Sequence, residues 1–419
     1  MKVFAKNYRG FDFVEVDLKK VNFLIGDNSS GKTSILHLIH AVSRDDLNSP
    51  PCFDEDFGIS EYDYFSPYFN FANVTFGYSM EEDGGRYCKI VTVRRRKDGP
   101  PRIIRCSYFI GGKLISVKLV GNNALFKVIP CEELSNNKCI EAHGLDFGYK
   151  TIPSISTSNI SLGNPSFIVA NLDCKELGIQ NLIGKAFECL LDHARLVSPT
   201  RALPEKFYSF RRKFNAQGLH FAAMWMDFFD DESSAEFLDI EKFGQESGLF
   251  DRVIVKRVSS RIEESPLLVL IEKSGRQFLL NQVGVGVSQV VPVLIEAVFS
   301  LGIRHTVLMQ QPELHLHPVA QAALGSYIFK ASNSGLRGVI ETHSSFLIDR
   351  FRADLRDTQG VEGKSESTLS SDEVSVLFCE NTGQGNIIHN IVVNYDGSIS
   401  GEPDKYHEFF VDELVRTMF

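Results

Sequence analysis

The sequence predicts an α/β fold: a parallel sheet built around a phosphate-binding loop, flanked by helices, with an antiparallel β meander and a helical insertion added to it. Three observations predict it. A buried strand-like run, Val21–Ile25, passes through a glycine-rich turn into the apolar helix-like run Thr33–Val42. Toward the C-terminus helix and strand patterns alternate, and such alternation builds a parallel sheet with crossover helices. Between these regions, from about residue 69 to 128, apolar alternation is broken by Gly-Gly, Asp-Gly and Gly-Asn turns, the pattern of a meander.

Taken in order, Met1–Lys6 and Asp12–Leu18 alternate as strands before Val21–Ile25. The meander contributes Ala72–Tyr78, Tyr87–Val93, Arg102–Phe109 and Lys113–Leu119. Leu182–Ala194 and Leu219–Phe229 carry apolar residues at three- and four-residue spacing, which marks residues 176–250 as a helical insertion in a core of residues 1–175 and 251–419. Strand patterns return at Arg252–Val258 and Leu267–Glu272. Then come helix Ser288–Phe299, strand Thr306–Met309, helix Val319–Ala331, strand Gly338–Glu341 and helix Ser345–Phe351. Residues 355–372 read as an exposed loop, and Val374–Asn381 with Asn386–Tyr395 as a hairpin followed by a helix.

Composition narrows the function classes. The 419 residues are 43% hydrophobic and 23% charged, as in soluble globular proteins, and the net charge of −9 argues against a surface coated in positive potential. The eight cysteines form no CxxC pair and no zinc spacing, so they read as reduced structural thiols. No apolar stretch approaches 18 residues and no signal peptide precedes the first strand, which makes the expectation a cytoplasmic protein with no membrane contact. Two basic stretches, Arg94–Lys97 and Arg211–Lys213, are candidate grips for nucleic-acid phosphates, weighed against solvated charged turns.

Gly26-Asp27-Asn28-Ser29-Ser30-Gly31-Lys32-Thr33 matches GxxxxGK[ST] at every position, between a strand and a helix. Such a loop bends its backbone around phosphates, so that N–H groups and the helix N-terminus face negative charge. Lys32 is expected on the β- and γ-phosphates and Thr33 on Mg²⁺, with Ser34 in the same nucleotide-binding turn. A second glycine-rich turn, Val283 to Gln289, precedes an apolar helix, with Ser288 placed as its N-cap and Gly286 and Gln289 beside it. One chain does not need two such sites for one phosphate, so this turn suits a nucleotide held by another copy. The strand Thr306–Met309 runs into Gln310-Gln311-Pro312-Glu313-Leu314-His315-Leu316-His317-Pro318, and a later strand ends at His343, placed to touch a γ-phosphate and position water.

In this order the motifs resemble the ABC ATPase head, most closely the ABC/SMC-like AAA ATPases with a PELHLHP strand motif and a GxGxSQ signature. These occur in the ATPase subunits of the anti-phage system Septu and of Septu-like retrons, and more distantly in the overcoming-lysogenization-defect family. The matching residues are Gly26–Thr33, Gly284–Gln289, Pro312–Pro318 and Thr342–Ser344, with weaker echoes at Asn7–Gly10 and Ser198–Ala202. The resemblance implies ATP and Mg²⁺ as ligands and a homodimer, or a larger assembly built from it, closed around ATP. It also implies a separate effector, with a nuclease the leading candidate. One departure stands out: Gln310 and Gln311 occupy positions where relatives carry at least one carboxylate. Glutamine keeps a carbonyl that can ligate Mg²⁺ at Gln310 but cannot act as a base. Slow turnover is therefore expected, with Glu313 as a stand-in carboxylate, whether the glutamines are natural or were introduced to trap ATP. The rival readings are a DNA-repair head of the SMC or RecF type, a nucleotide-gated scaffold with little hydrolysis, and a transporter ATPase.

Overall fold

The computed structural model describes residues 1–43, 73–82, 85–94, 102–120, 123–130, 136–151, 194–210, 214–228, 234–259, 265–303, 305–359 and 368–410. The chain forms two compact units. The helical expectation for residues 182–193 and the basic stretch Arg211–Lys213 lie outside the described residues, as does the Arg94–Lys97 stretch beyond Arg94.

The first unit comprises residues 1–18, 28–193 and 380–388. Its frame is an antiparallel sheet in the order β2-β1-β4-β5-β6-β7-β8-β9. The strands are β1 Lys2–Tyr8, β2 Phe11–Asp17, β4 Val74–Glu82, β5 Gly85–Arg94, β6 Arg102–Ile110, β7 Lys113–Val120, β8 Asn123–Pro130 and the short β9 Lys150–Thr151. The alternation read in the meander is the pleat of this sheet. One hairpin joins β6 to β7 through Gly111 and Gly112, at φ 53° and 70°, where the left-handed conformation twists the turn with the strands and favours glycine at both places. Helix α1, Lys32–Ser43, is tied to the first strand: Tyr8 donates its hydroxyl to the Ser34 carbonyl (3.0 Å) and Arg9 donates to the Ser34 hydroxyl (3.1 Å). Helix α2, Asn136–Gly144, buries Cys139 and Ile140 against Phe4, Cys88, Ile90, Phe109 and Leu114.

The second unit comprises residues 19–27, 194–379 and 389–419. Its seven-stranded sheet has the order β10-β14-β15-β3-β16-β17-β18. Strands β10 (Arg195–Val197), β14 (Thr306–Gln310), β15 (Arg337–Glu341), β3 (Val21–Gly26) and β16 (Val374–Asn381) run parallel, and β17 (Asn386–Val393) and β18 (Ile399–Ser400) complete the edge. All six residues of β3 are buried, as a strand covered on both faces requires. Helices α3 (Phe221–Phe228), α4 (Ala235–Ser247), α5 (Val285–Ile303), α6 (Pro318–Asn333) and α7 (Ser345–Gln359) belong to this unit, with a small antiparallel sheet of β11 (Arg252–Arg257), β12 (Leu267–Lys273) and β13 (Arg276–Leu279). Their shared core includes Phe23, Trp225, Phe243, Phe250, Leu294, Tyr327 and Phe351. The α/β class and its parallel sheet, meander and helices are present as read.

Most element ends shift by a few residues, and two shifts change a reading. Helix α5 starts at Val285, so Ser288 lies within its first turn and does not cap it: its hydroxyl donates back to the Val285 carbonyl (3.0 Å). Helix α7 continues to Gln359, into the expected loop, because Leu355 is fully buried and extends the helix's apolar face. Cys88, Cys106, Cys139 and Cys379 are buried thiols outside any disulfide.

Candidate functional site

Parallel strands deliver their C-terminal ends to one edge of a sheet, which is where open α/β sheets bind ligands. Here four neighbours, β10, β14, β15 and β3, do so together. Gln310 pairs with Glu341, and Glu341 with Leu24, so the strands end nearly level. The segments leaving that edge begin at Ser198, Gln311, Thr342 and Asp27.

The phosphate loop leaves β3 through Gly26 at φ 137°, where an added Cβ would lie 2.0 Å from the Cys379 carbonyl oxygen, so no side chain fits. Gly31 at φ 99° is closed in the same way by the Phe11 ring, 2.6 Å from an added Cβ. Asp27, Asn28 and Ser29 are exposed, Ser29 in the left-handed region at φ 64°. Lys32 and Ser30 are buried, and the Ser30 hydroxyl has no hydrogen-bond partner. A loop stripped of side chains at both glycines, with an unmatched hydroxyl between them, fits a phosphate chain. Midway along the following helix His37 is held neutral, its pKa lowered to about 3 by burial and then by the charge of Arg9.

The turn after β14 gathers most of the other candidates. Gln310 is buried and donates its side-chain amide to the Glu341 carboxylate at 3.5 Å, which leaves its carbonyl oxygen as the atom a cation would take. Gln311 sits at φ 43° and donates its backbone N–H to the Glu341 carbonyl (2.8 Å). Glu313 accepts the backbone N–H of His343 at 2.9 Å, which joins this turn to the end of β15. Burial raises the Glu313 carboxyl above the usual range, against the opposing pull of those hydrogen bonds and of the Arg201 charge. His317 caps α6 by accepting the Ala320 N–H, with Pro318 in the first turn, so the second half of the PELHLHP run starts a helix while the first half presents a carboxylate. His343 is half-buried, its ring 5.9 Å from that of Phe409.

The glycine-rich turn reaches the same cluster. Gly286 lies so close to the turn that an added Cβ would meet the His315 carbonyl oxygen at 2.8 Å, and Gln289 donates to the Ala202 carbonyl at 3.3 Å. Ser288 and Gln289 are both buried, while Val285 is 55% exposed.

The cluster holds two residues that the sequence did not single out. Glu341 supplies a carboxylate beside Gln310. Arg201, in the loop after β10, is 4% exposed and donates to the Gln311 carbonyl at 3.1 Å. Burial lowers its pKa to about 10, with the Glu313 charge opposing that shift. The Ser198–Ala202 echo had flagged the segment but gave Arg201 no role.

Comparisons with known proteins bear on the segment that carries the phosphate loop. Residues 1–91 match a family model described as an AAA ATPase domain. No curated protein matches the chain. Among solved structures, an SMC head bound to the C-winged helix domain of ScpA is 10% identical, with 94% of this chain and 97% of that one covered and a TM-score of 0.49. The SMC head domain from Thermotoga maritima is 12% identical, with coverages of 92% and 97% and a TM-score of 0.39. An Smc head with an extended coiled coil, bound to the C-terminal domain of ScpA derived from Pyrococcus furiosus, is 9% identical, with coverages of 99% and 98% and a TM-score of 0.40. Among the described residues no helix is long and apolar enough to cross a membrane.

Proposed function

We propose that this chain is an ATPase head of the ABC/SMC-like type that binds ATP and Mg²⁺ at Gly26–Thr33 and turns it over slowly. The observation that carries the reading is the shared sheet edge: the start of a complete phosphate loop, two buried carboxylates and a histidine leave adjacent parallel strands. Lys32 neutralises the β- and γ-phosphates. Thr33 would offer its hydroxyl to Mg²⁺, which would supply positive charge to the phosphates, and the carbonyl oxygen of Gln310 is the cation ligand that the strand edge offers. Glu313, whose raised pKa suits proton transfer, takes the place of the missing base, and His343 orients the attacking water.

In this reading two copies close around ATP, each presenting its glycine-rich turn to the partner's nucleotide, and the closed state controls a separate effector in the cytoplasm. The PELHLHP run and GxGxSQ turn support a role in anti-phage defence, with a nuclease as effector. The amide of Gln310, already matched to Glu341, favours as second reading a scaffold gated by bound ATP with little turnover.

The test is Lys32→Ala. Calorimetry is expected to show most ATP affinity lost with the fold intact, and sedimentation to show an ATP-dependent dimer in the parent and not in the variant. Equal ATP binding by the two proteins would refute the site.

A further inference from the structure

Within the first unit, helix α2 lies along strand β5 and is anchored to it at both ends. The Arg86 guanidinium donates to the Asn136 side-chain carbonyl at 2.6 Å, and His143 bonds the Thr92 hydroxyl at 2.7 Å. Side chains alternate along a strand, so Cys88, Ile90 and Thr92 share the face that meets the helix. Four residues apart on a helix, Cys139 and His143 share a face too. The anchors therefore set Cys139 over Cys88. The two are 2% and 3% exposed, in an apolar cluster with Phe4, Ile90, Phe109 and Leu114, and the Cys88 thiol donates a hydrogen bond to the Cys139 sulfur. Cys106 pairs with Val91, three residues from Cys88, and so points to the opposite face.

The two thiols are unequal. The hydrogen bond from Cys88, and then the charge of Arg86, hold the Cys139 thiol below its usual range against the opposing effect of burial. Burial first, and then the donated bond, push Cys88 well up. A lowered thiol touching a second thiol is what a peroxide oxidises selectively. We infer that Cys88 and Cys139 are a redox-active dithiol, which a peroxide converts to a disulfide that staples α2 to β5. The Cys139 thiolate attacks one peroxide oxygen and the O–O bond breaks. The departing hydroxide takes up the proton that the thiol had released, and Cys139 is left as a sulfenic acid. Cys88 then attacks that sulfur. Its proton joins the departing hydroxyl, so water leaves as the S–S bond forms. Two thiols lose two electrons and two protons, and one hydrogen peroxide becomes two waters. Access runs through α2, because a nine-residue helix docked on a sheet opens locally at lower cost than the strands beneath it.

The experiment reduces the full chain, removes the reductant and adds one equivalent of hydrogen peroxide. Remaining thiols are alkylated, and the protein is digested without reduction for mass spectrometry. The peptides linked through Cys88 and Cys139 are expected as the main oxidised product, with Cys106 alkylated as a thiol. The link should form at least about tenfold faster in the native protein than in urea, because contact replaces a search by the open chain. In Cys88→Ser no thiol resolves the first step, so dimedone should trap a sulfenic acid at Cys139. Cys139→Ser should leave Cys88 reduced. Recovery of both cysteines as alkylated thiols after peroxide would overturn the inference. So would a link from either one to Cys106 or to another cysteine, or a native rate no higher than that in urea. If a variant fails to fold, the parent's linkage and its loss of rate in urea decide alone.

Discussion

Each of the two units buries a cluster of polar groups, and the clusters differ in how completely they satisfy themselves. On the antiparallel sheet, His143 bonds Thr92 (2.7 Å) and Ser107 (2.6 Å), Ser107 bonds Ser116, and Ser116 bonds Tyr149. Arg105 pairs with Asp146 and the His143 carbonyl, and Lys127 donates to the Leu145 carbonyl at 2.7 Å beneath the Tyr149 ring. Only the Arg105 Nε of that network lacks a partner. On the parallel sheet, Arg201 leaves two nitrogens unmatched and Glu313 one oxygen. Matched networks specify a fold, since their groups have nothing left to offer. Unmatched ones have to be explained by something outside the chain. By that criterion the meander's cluster reads as architecture and the strand-edge cluster as the candidate site.

The comparison breaks most visibly if Glu313→Gln is harmless. Loss of a general base should lower steady-state ATP turnover about a hundredfold while ATP affinity holds. A variant as active as the parent would move the chemistry elsewhere. His143→Ala should do the reverse, costing about 1–3 kcal/mol in chemical denaturation with ATP binding per folded molecule unchanged. It opens a buried cavity and takes one partner each from Thr92 and Ser107, which keep Thr75 and Ser116. An altered ATP affinity there would mean that the meander's network is not architecture alone.

Acid sharpens the contrast. The pKa values of His37 and His143 are each lowered to about 3, mainly by burial. Unfolded, each takes up a proton below about 6.5, which the native state refuses until near pH 3. The unfolded chain then binds more protons, so stability falls as pH drops from about 6.5, by about 1.4 kcal/mol per histidine per pH unit. Denaturant melts from pH 7.5 to 5 should show this, and His143→Gln should flatten it. The smallest effect is expected from Gln310→Glu, which would set a second carboxylate against Glu341. Its melting temperature should depend more on Mg²⁺ than the parent's, because like charges that close require a cation or a proton. Equal Mg²⁺ dependence would show that the two side chains separate.

Much of this was legible from local pattern. The phosphate loop and the βαβα order place the strand edge, because motif and periodicity are properties of neighbouring residues. What stayed hidden was long-range. Arg201 meets Gln311 across 110 positions, and no spacing rule connects them. The short strands β10 and β13 have too few residues to show a period. Ser288 misled because N-cap preference says which residues suit a helix start, and not which of several small residues in a glycine-rich turn begins it. The glycine-rich turn itself was visible, but its backing against His315 was not.

One consequence of the strand order concerns synthesis. Strand β3 is made well before its sheet neighbours, since its Asn22 hydrogen-bonds to residues 316 and 353 positions further on. At ribosomal rates of roughly 5–20 residues per second, its parallel neighbours arrive about half a minute later. For that interval Val21–Ile25 is a nascent apolar strand with no native partner, a segment of the kind that holdase chaperones shield. The strand that sets the start of the phosphate loop can take its place only after Gly338 and Ser375 have been made, so the loop acquires its native footing late in the synthesis of this segment.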